Sequence, residues 1–394
     1  MKNKNTSLLF ASYQARKTKA EKTAFIQHAC SAASDAGFMS NVENTKNGAR
    51  NVVVGDVNSA AIVYTAHYDT PSKSMLPSYI FPKLPILTTL YQIFVALLIL
   101  VPTAAAFVLP VIILPGTGLA LSLSVLAGIV LAAGVFTALI CLLLCGRSCP
   151  NNANSNTSGV AALFEIMANM PSEYRSKVAF VFFDGATNGL LGSSDFSKTH
   201  KHLGKKLFLN FDCIGVGENF VLAFRSGAAK YISAVEKAFP SMGKIKTEII
   251  SGAKRIPSDH NNFKCGIGVS AFEKNGGILH LTIKNNGTDT MYSEENIAYA
   301  ASAAINVAKF VLVPDAISTS KFEQYVKADV ALKVEASKVN EPAAKAPVED
   351  KAADNPNKEK APADEVKEAP AEEQKAETES PAAEEQTEET VETK

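Results

Sequence analysis

A long uncharged stretch in the first half of the chain constrains the fold more than any other feature. No Asp, Glu, Lys or Arg occurs from Leu84 to Gly146. Two apolar runs lie within it, at 86–113 and 119–145, and each exceeds the roughly 20 residues that a helix needs to cross a bilayer. A pair of buried core helices is the alternative, but core helices of this length normally keep a polar face. The sequence therefore predicts a two-helix transmembrane hairpin.

The charges around the hairpin predict its orientation. Lys73 and Lys83 precede the first apolar run, and Arg147 follows the second. Because cytoplasmic flanks are enriched in Lys and Arg, we expect a multi-pass protein of the cell membrane. Its folded domain and both of its termini are predicted to be cytoplasmic.

Charge is unevenly distributed along the chain. Residues 340–394 contain 17 acidic and 7 basic side chains, so their net charge is −10. The formal net charge of the whole chain is +0, and the rest of it must therefore carry +10. A basic body suits an anionic lipid surface, so we expect the lipid bilayer as a partner and no nucleic acid. Residues 333–394 contain few large apolar side chains and are predicted to be a disordered acidic tail.

Outside the hairpin, strand and helix patterns alternate. Strands are predicted near 51–54, 60–67, 178–183, 207–211, 220–223, 246–250 and 269–273. Helices are predicted after Gly159 and near 228–239 and 293–313. This alternation predicts one α/β domain, whose two parts are residues 1–72 and 150–332, with the hairpin at 73–149 between them.

Three of the predicted strands end in side chains that can bind a metal or a substrate. One ends at His67 and Asp69, and two later strands end at Asp184 and Asp212. Open α/β sheets place their ligand sites outside the carboxyl ends of strands, so these side chains predict a cleft. A His-x-Asp sequence taken alone is more often a strand end whose polar groups are satisfied by hydrogen bonds.

Six short motifs occur in one order along the chain. They are AHYDT at 66–70, NSNTSGV at 154–160, FFDG at 182–185, GLLGS at 189–193, NFD at 210–212 and SDH at 258–260. In type and order they resemble the co-catalytic zinc aminopeptidases of the aminopeptidase Y and bacterial leucyl aminopeptidase type. More closely, the chain resembles a branch of that family in which a membrane hairpin follows the first motif. The resemblance covers about 51–313 and implies a three-layer αβα zinc-exopeptidase-like domain with a mostly parallel central sheet.

The family uses two zinc ions, and the resemblance implies which residues of this chain occupy its site positions. The first ligand histidine corresponds to His67, and the aspartate that orients its imidazole corresponds to Asp69. A further ligand aspartate corresponds to Asp212. The residues expected to line the cleft are Asp184, Asp259 and His260.

The other site positions are substituted. The aspartate that bridges the two zinc ions is Ser155 here, a ligand glutamate is Thr187, and the last ligand histidine is Asn285. The general-base position is Ala186, which cannot take a proton from water. A catalytic zinc usually has three protein ligands, so we expect no zinc or only weakly bound zinc.

These substitutions predict a membrane-anchored, catalytically inactive homologue of the aminopeptidases, a pseudopeptidase with a binding or regulatory role toward a peptide or protein ligand. The alternative is an active metallo-aminopeptidase, a hydrolase that releases N-terminal residues through a rebuilt metal site. The side chains available to rebuild it are Asp184, Asp259, His260 and His280. A purely structural role is the third interpretation.

The insertion point of the hairpin predicts where the site faces. The hairpin leaves the domain just after Asp69 and returns just before Ser155. Both of its ends therefore start from the rim of the cleft, and we expect the site to face the cytoplasmic surface of the membrane.

The remaining reactive side chains have simpler interpretations. Cys141, Cys145 and Cys149 share a helical face, which fits a metal or acylation site but is also common at the ends of membrane helices. Cys213 is typical of a core residue rather than a nucleophile. The SDH motif at 258–260 has the composition of a hydrolase triad, but adjacent residues in one loop rarely align as nucleophile, base and orienting group.

Overall fold

The computed structural model describes residues 3–143, 146–252 and 256–313. Its helices are α1 (Lys4–Ser12), α2 (Lys19–Asp35), α3 (Pro85–Ile113), α4 (Leu121–Leu143), α5 (Ser158–Asn169), α6 (Ser172–Arg175), α7 (Leu191–Thr199), α8 (Ile232–Ala238) and α9 (Glu294–Leu312). Its strands are β1 (Ser40–Asn44), β2 (Arg50–Val54), β3 (Ile62–His67), β4 (Ser78–Ile80), β5 (Val178–Phe183), β6 (Leu207–Phe211), β7 (Asn219–Phe224), β8 (Lys246–Ser251), β9 (Gly266–Asn275) and β10 (Ile278–Ile283). The predictions for Cys145 and for the tail at 333–394 lie outside the described residues.

The described strands form one mixed sheet. Its centre, in the order β5-β3-β6-β9, is parallel. Antiparallel pairs flank this centre, with β2 and β1 on one side and β10 and β4 on the other. Strand β7 pairs antiparallel with β9 and parallel with β8. The predicted α/β fold with a central sheet is therefore confirmed, and each strand predicted from the sequence is present.

Helices cover both faces of the sheet, because successive residues of a strand point to opposite sides. In β3, Ile62 and Tyr64 belong to the larger buried cluster, which α2, α5 and α9 complete. Val63 points the other way, into a smaller cluster that contains Phe196 of α7. The Tyr64 hydroxyl donates a hydrogen bond to the carbonyl oxygen of Ala304 at 2.8 Å, which ties α9 to the sheet.

Helices α3 and α4 form the hairpin, and both are long and apolar enough to cross a membrane. Many of their large apolar side chains are exposed, among them Leu100, Leu109 and Ile129. The two helices approach closely at Gly128, where a Cβ atom would lie 2.6 Å from the carbonyl oxygen of Phe107. The helices thus pack on each other through small residues while their large apolar side chains face outward, which is unusual on the surface of a soluble protein.

The segments that join the hairpin to the domain lie side by side. The backbone N–H of Lys73 donates a hydrogen bond to the carbonyl oxygen of Arg147 at 2.7 Å. The sequence predicts that residues 73–149 lie outside the α/β domain, but Ser78–Ile80 form β4, which pairs with β10 of its sheet. This short segment carries no periodic signal in the sequence, and its pairing with β10 is what makes it a strand.

Arg16 connects the N-terminal helices to the end of β3 through hydrogen bonds of its side chain. It lies between α1 and α2 and is fully buried. Its guanidinium donates hydrogen bonds to the carbonyl oxygens of Tyr13 and Tyr68 and, at 3.1 Å, to the hydroxyl of Thr157. Burial lowers the pKa of Arg16 to about 9, against the opposing effect of the nearby Asp69 carboxylate. The side chain therefore stays charged at neutral pH.

Replacing Arg16 with Met tests this anchor. The substitution leaves buried carbonyl groups without a donor and removes one of the two cations near Asp69, the other being His67, so we expect the free energy of unfolding to fall by about 3–5 kcal/mol. Thermal or denaturant unfolding of the detergent-purified chain measures the change. The control is Lys19→Met in the first turn of α2, an exposed position where the change should stay within about 0.5 kcal/mol. Equal stability of the two variants would contradict the anchoring role.

Candidate metal and active site

The parallel strands bring three polar side chains to one edge of the sheet. His67 ends β3 and pairs in register with Phe183, the last residue of β5, so that Asp184 follows at the same level. Asp212 follows β6, which is the other neighbour of β3. The connections leaving β3 and β5 run through α5 and α7 on opposite faces of the sheet. Where neighbouring strands have connections on opposite faces of the sheet, a crevice opens at the carboxyl ends of these strands.

His67 lies between two carboxylates. Its Nε2 atom is 3.5 Å from Oδ1 of Asp212, and its Nδ1 atom is 3.4 Å from Oδ1 of Asp69. Burial alone would lower the pKa of His67, but the charges and hydrogen bonds of the two carboxylates raise that pKa well above its ordinary value. Burial raises the pKa of Asp212, but the charge of His67 and the hydrogen bonds from His67, Ser258 and Cys213 together lower it by more, so the net shift is downward. At neutral pH the three residues therefore form an ion-paired group with a charged imidazole at its centre.

Asp69 is held by the residues at two of the substituted site positions. Its carboxylate accepts hydrogen bonds from the backbone N–H groups of Ala186 at 2.9 Å and Thr187 at 3.0 Å. The Thr187 hydroxyl donates a third hydrogen bond at 2.6 Å. An ionised glutamate, which the family places at this position, is an acceptor only and could not make that bond. The residue at a lost ligand position thus stabilises the carboxylate that orients His67.

Asp212 has hydrogen-bond donors on both oxygens. The Ser258 hydroxyl donates to Oδ2, and the Cys213 thiol donates to Oδ1 at 3.1 Å. Burial, together with the negative charge of Asp212, raises the pKa of Cys213 well above its ordinary value. A thiol that stays protonated is a poor nucleophile, so Cys213 acts here as a buried donor.

The loop before α5 places Ser155 at the site through backbone contacts. The N–H groups of Asn154 and Ser155 donate to the Asp289 carboxylate at 3.0 and 2.9 Å. The side chain of Asn156 donates to the carbonyl oxygen of Phe211 at 3.0 Å, which joins the loop to the end of β6. Hydrogen bonds within the protein therefore define the position of this loop.

Asp184 and His280, both considered for a rebuilt metal site, have other partners. Asp184 forms an ion pair with Lys22 of α2 and accepts a hydrogen bond from the N–H of Arg50 at 3.0 Å. His280 lies on β10, 4.0 Å from the carboxylate of Glu273. Neither side chain joins the group around His67.

Asp259 and His260 are fully buried, so neither presents its side chain to solvent in the cleft. The Ser193 hydroxyl donates to Oδ1 of Asp259, and Oδ2 has no hydrogen-bond partner among the described residues. His260 packs against Gly268, where a Cβ atom would lie 2.5 Å from the imidazole ring. Because the hydroxyl of Ser258 bonds to Asp212 instead, these three adjacent residues do not align as a triad.

The residues present do not fit a catalytic zinc ion. Such an ion usually takes three protein ligands and keeps one open position. Among residues 3–143, 146–252 and 256–313, no group of three His, Cys, Asp or Glu side chains is arranged to hold a metal. His67 and Asp212 provide two candidate ligands, whereas Ser155, Thr187 and Asn285 provide neutral groups at the other positions.

Comparison with known proteins gives one sequence family and a group of solved structures. Residues 148–311 match the family model of Peptidase family M28. No curated protein matches the chain in sequence. The LapA aminopeptidase of Legionella pneumophila has 13% identity and a TM-score of 0.47, over 79% of this chain and 70% of that one.

Two further solved structures cover similar shares of the chain. A glutaminyl cyclase of Porphyromonas gingivalis has 13% identity and a TM-score of 0.47, over 77% of this chain and 96% of that one. A Zn-dependent exopeptidase of Parabacteroides distasonis has 15% identity and a TM-score of 0.45, over 77% of this chain and 95% of that one.

The buried carboxyl group of Asp259 predicts a pH-dependent stability. Burial raises the pKa of Asp259 to about 6, although the charge of His67 opposes the shift. The pKa is roughly 3.9 in an unfolded chain, so the folded chain binds this proton more tightly. The contribution of Asp259 to stability is therefore lost as the pH rises from about 4 to above 6, by on the order of 3 kcal/mol.

Asp259→Asn removes this pH dependence, because the amide keeps an acceptor for Ser193 and carries no charge. We expect the difference in unfolding free energy between variant and wild type to change by about 3 kcal/mol in favour of the variant between pH 4 and pH 8. Thermal unfolding in detergent across this range measures it. Glu218→Gln, at an exposed position, is the control and should show no such change. Parallel pH profiles for Asp259→Asn and wild type would contradict the prediction.

Proposed function

We propose that this chain is a membrane-anchored pseudopeptidase of peptidase family M28 with a binding or regulatory role. The observation that carries the proposal is the hydrogen bond from the Thr187 hydroxyl to Asp69 at 2.6 Å. Position 187 would hold a ligand glutamate in the family, and here its side chain binds the carboxylate beside His67 instead.

The chemistry of the substituted positions supports the loss of catalysis. Ala186 has no group that can take a proton from water, and loss of a general base alone typically lowers a rate by about 10²- to 10⁴-fold. The hydroxyls of Ser155 and Thr187 are poor zinc ligands, and the Thr187 hydroxyl is already bonded to Asp69. Two remaining ligands are too few to hold zinc tightly at neutral pH.

The hairpin supports anchoring in a membrane. Helices α3 and α4 are long enough to span a bilayer, and their exposed apolar side chains have no suitable environment in water. Lys83 at the start of the hairpin forms a 2.7 Å ion pair with Glu248. Lys73 and Arg147 are exposed, and they lie in the two segments that join the hairpin to the domain. Under the positive-inside rule, these flanks support a cytoplasmic domain.

Metal content and turnover of the detergent-purified chain test the loss of catalysis. We expect zinc well below one ion per chain, because at most two protein ligands are available. We also expect no hydrolysis of amino-acid arylamides above the rate of the His67→Ala variant. Stoichiometric zinc together with turnover that His67→Ala abolishes would overturn the proposal.

A variant with the ligands restored is the positive control for this measurement. It combines Ser155→Asp, Ala186→Glu, Thr187→Glu and Asn285→His, which return the side-chain types of the family to their positions. We expect it to retain more zinc than the wild type after dialysis, since the ligand count rises above three. A folded variant that retains no more zinc than wild type would show that the loop positions, and not only the side chains, differ from those of a metal site.

Labelling from the two sides of the membrane tests the orientation. Gly116→Cys lies in the turn between α3 and α4, where an added Cβ meets no atom within 4 Å. Lys46→Cys lies in an exposed turn between β1 and β2. An impermeant maleimide should label the first variant in intact cells and the second only after the cells are opened, with the wild type as background for native thiols. The reverse pattern would contradict a cytoplasmic domain.

A further inference from the structure

A cavity joins the candidate site to the base of the hairpin. Its volume of 530 Å³ falls within the roughly 300–1,000 Å³ range of small-molecule sites. Its lining includes Asp69, Thr187 and Asn285 of the candidate site and also residues of α3. The cavity therefore extends from positions that would hold the metal in a peptidase to a helix that is long enough to span a membrane.

One face of α3 forms the wall on the hairpin side. The lining residues of this helix are Thr88, Tyr91, Gln92 and Val95. They recur at the i, i+3, i+4 and i+7 spacing of a single helix face and cover about 10 Å of its length. The Tyr91 hydroxyl donates a hydrogen bond to the carbonyl oxygen of Pro77, and Leu143 at the end of α4 completes the wall. Such a wall offers both apolar contacts and hydrogen-bonding groups next to the predicted membrane boundary.

Positive charge lies at the cavity and at its mouth. Lys17 lines the cavity, and its ammonium group donates to the carbonyl oxygen of Gly146 at 2.6 Å. Within the described part of the chain, no carboxylate forms an ion pair with Lys17. Lys73 and Arg147 line an adjoining depression at the base of the hairpin, and both are exposed. These three cations are placed to attract an anion.

The acidic groups near the cavity have partners other than the Lys17 ammonium group. The Glu21 carboxylate accepts hydrogen bonds from the backbone N–H groups of Lys17 and Thr18 and from the Ser148 hydroxyl. Asp69 accepts three hydrogen bonds from Ala186 and Thr187 and lies 3.4 Å from Nδ1 of His67. Lys22, the other lysine of the lining, already neutralises Asp184. Of the two lysines in the lining, Lys17 is therefore the one whose ammonium group forms no ion pair with a described carboxylate.

We propose that the cavity binds one anionic phospholipid, with its phosphate at Lys17 and one acyl chain along the α3 wall. The inference rests on the proposed membrane anchoring and names the ligand class of the same site. A lysine ammonium suits a phosphate group, and a cytoplasmic leaflet supplies anionic head groups at this level. The apolar part of the wall suits a hydrocarbon chain that leaves the bilayer next to α3.

A single introduced Trp tests where the acyl chain lies. The chain contains no Trp, so a Trp at one position is its only indole emitter. Ile283→Trp places the indole in the cavity wall near Asn285. In detergent, we expect phosphatidylglycerol with brominated acyl chains to quench this emission at a concentration about tenfold lower than phosphatidylcholine with the same chains. Adding Lys17→Gln should remove the difference, whereas the exposed control Lys19→Gln should retain it.

Two further Trp positions separate failure of the lipid site from failure of membrane anchoring. Val101→Trp, on the exposed side of α3, should be quenched equally by both brominated lipids after reconstitution into vesicles. Asn58→Trp, before β3 at the opposite edge of the sheet, should be quenched by neither. Absence of quenching at Val101→Trp would overturn anchoring and the lipid site together. Quenching at Val101→Trp without a head-group preference at Ile283→Trp would overturn the lipid site alone.

The unmodified cavity provides a second measurement, should Ile283→Trp disturb the fold. We expect lysophosphatidylglycerol to raise the melting temperature of the wild-type chain more than lysophosphatidylcholine does. Lys17→Gln should abolish this difference, and Lys19→Gln should not. Equal stabilisation by glycerol phosphate would identify a free-phosphate site instead of a lipid site. Stabilisation by a short peptide but by neither lipid would overturn the inference in favour of a peptide ligand.

Discussion

The hairpin interrupts the domain at the carboxyl end of a central strand, and this insertion constrains the structure around it. The chain leaves after β3 and has to return to the same edge of the sheet before α5 can form. The hydrogen bond between Lys73 and Arg147 joins the two segments that connect the hairpin to the domain, and β4 attaches the first of these segments to β10. The candidate site lies at this edge, so the hairpin and the site share their supporting contacts. Only a few residues therefore separate α3 and α4 from the candidate site, and a displacement of either helix would shift the residues that support the site.

The site has kept its polar character although its residues do not fit zinc. Buried carboxylates are unfavourable unless they are paired or hydrogen-bonded. Asp212 has His67, Ser258 and Cys213 as partners, and Asp69 has backbone and hydroxyl donors from Ala186 and Thr187. These donors and the imidazole stabilise both carboxylates. The arrangement explains why both aspartates can remain charged in the interior.

The sequence predicted the elements that carry a strong local signal. The hairpin and the apolar strands of the sheet are of this kind, because their length and apolar runs do not depend on distant contacts. Strands β1 and β4 are short or polar, and they form by pairing with β2 and β10. Strand β10 follows Gly276 and Gly277, a dipeptide typical of a hairpin turn, and this signal could have revealed it.

The partners at the site depend on contacts that no local pattern contains. The resemblance to a family named the ligand positions, but the bond from Thr187 to Asp69 joins residues 118 positions apart. The same bond has a consequence for substitutions at position 187. A glutamate introduced there alone would replace a donor by a second carboxylate near Asp69, and like charges repel. A single substitution that adds a metal ligand at this position would thus destabilise the site unless a cation were bound at the same time.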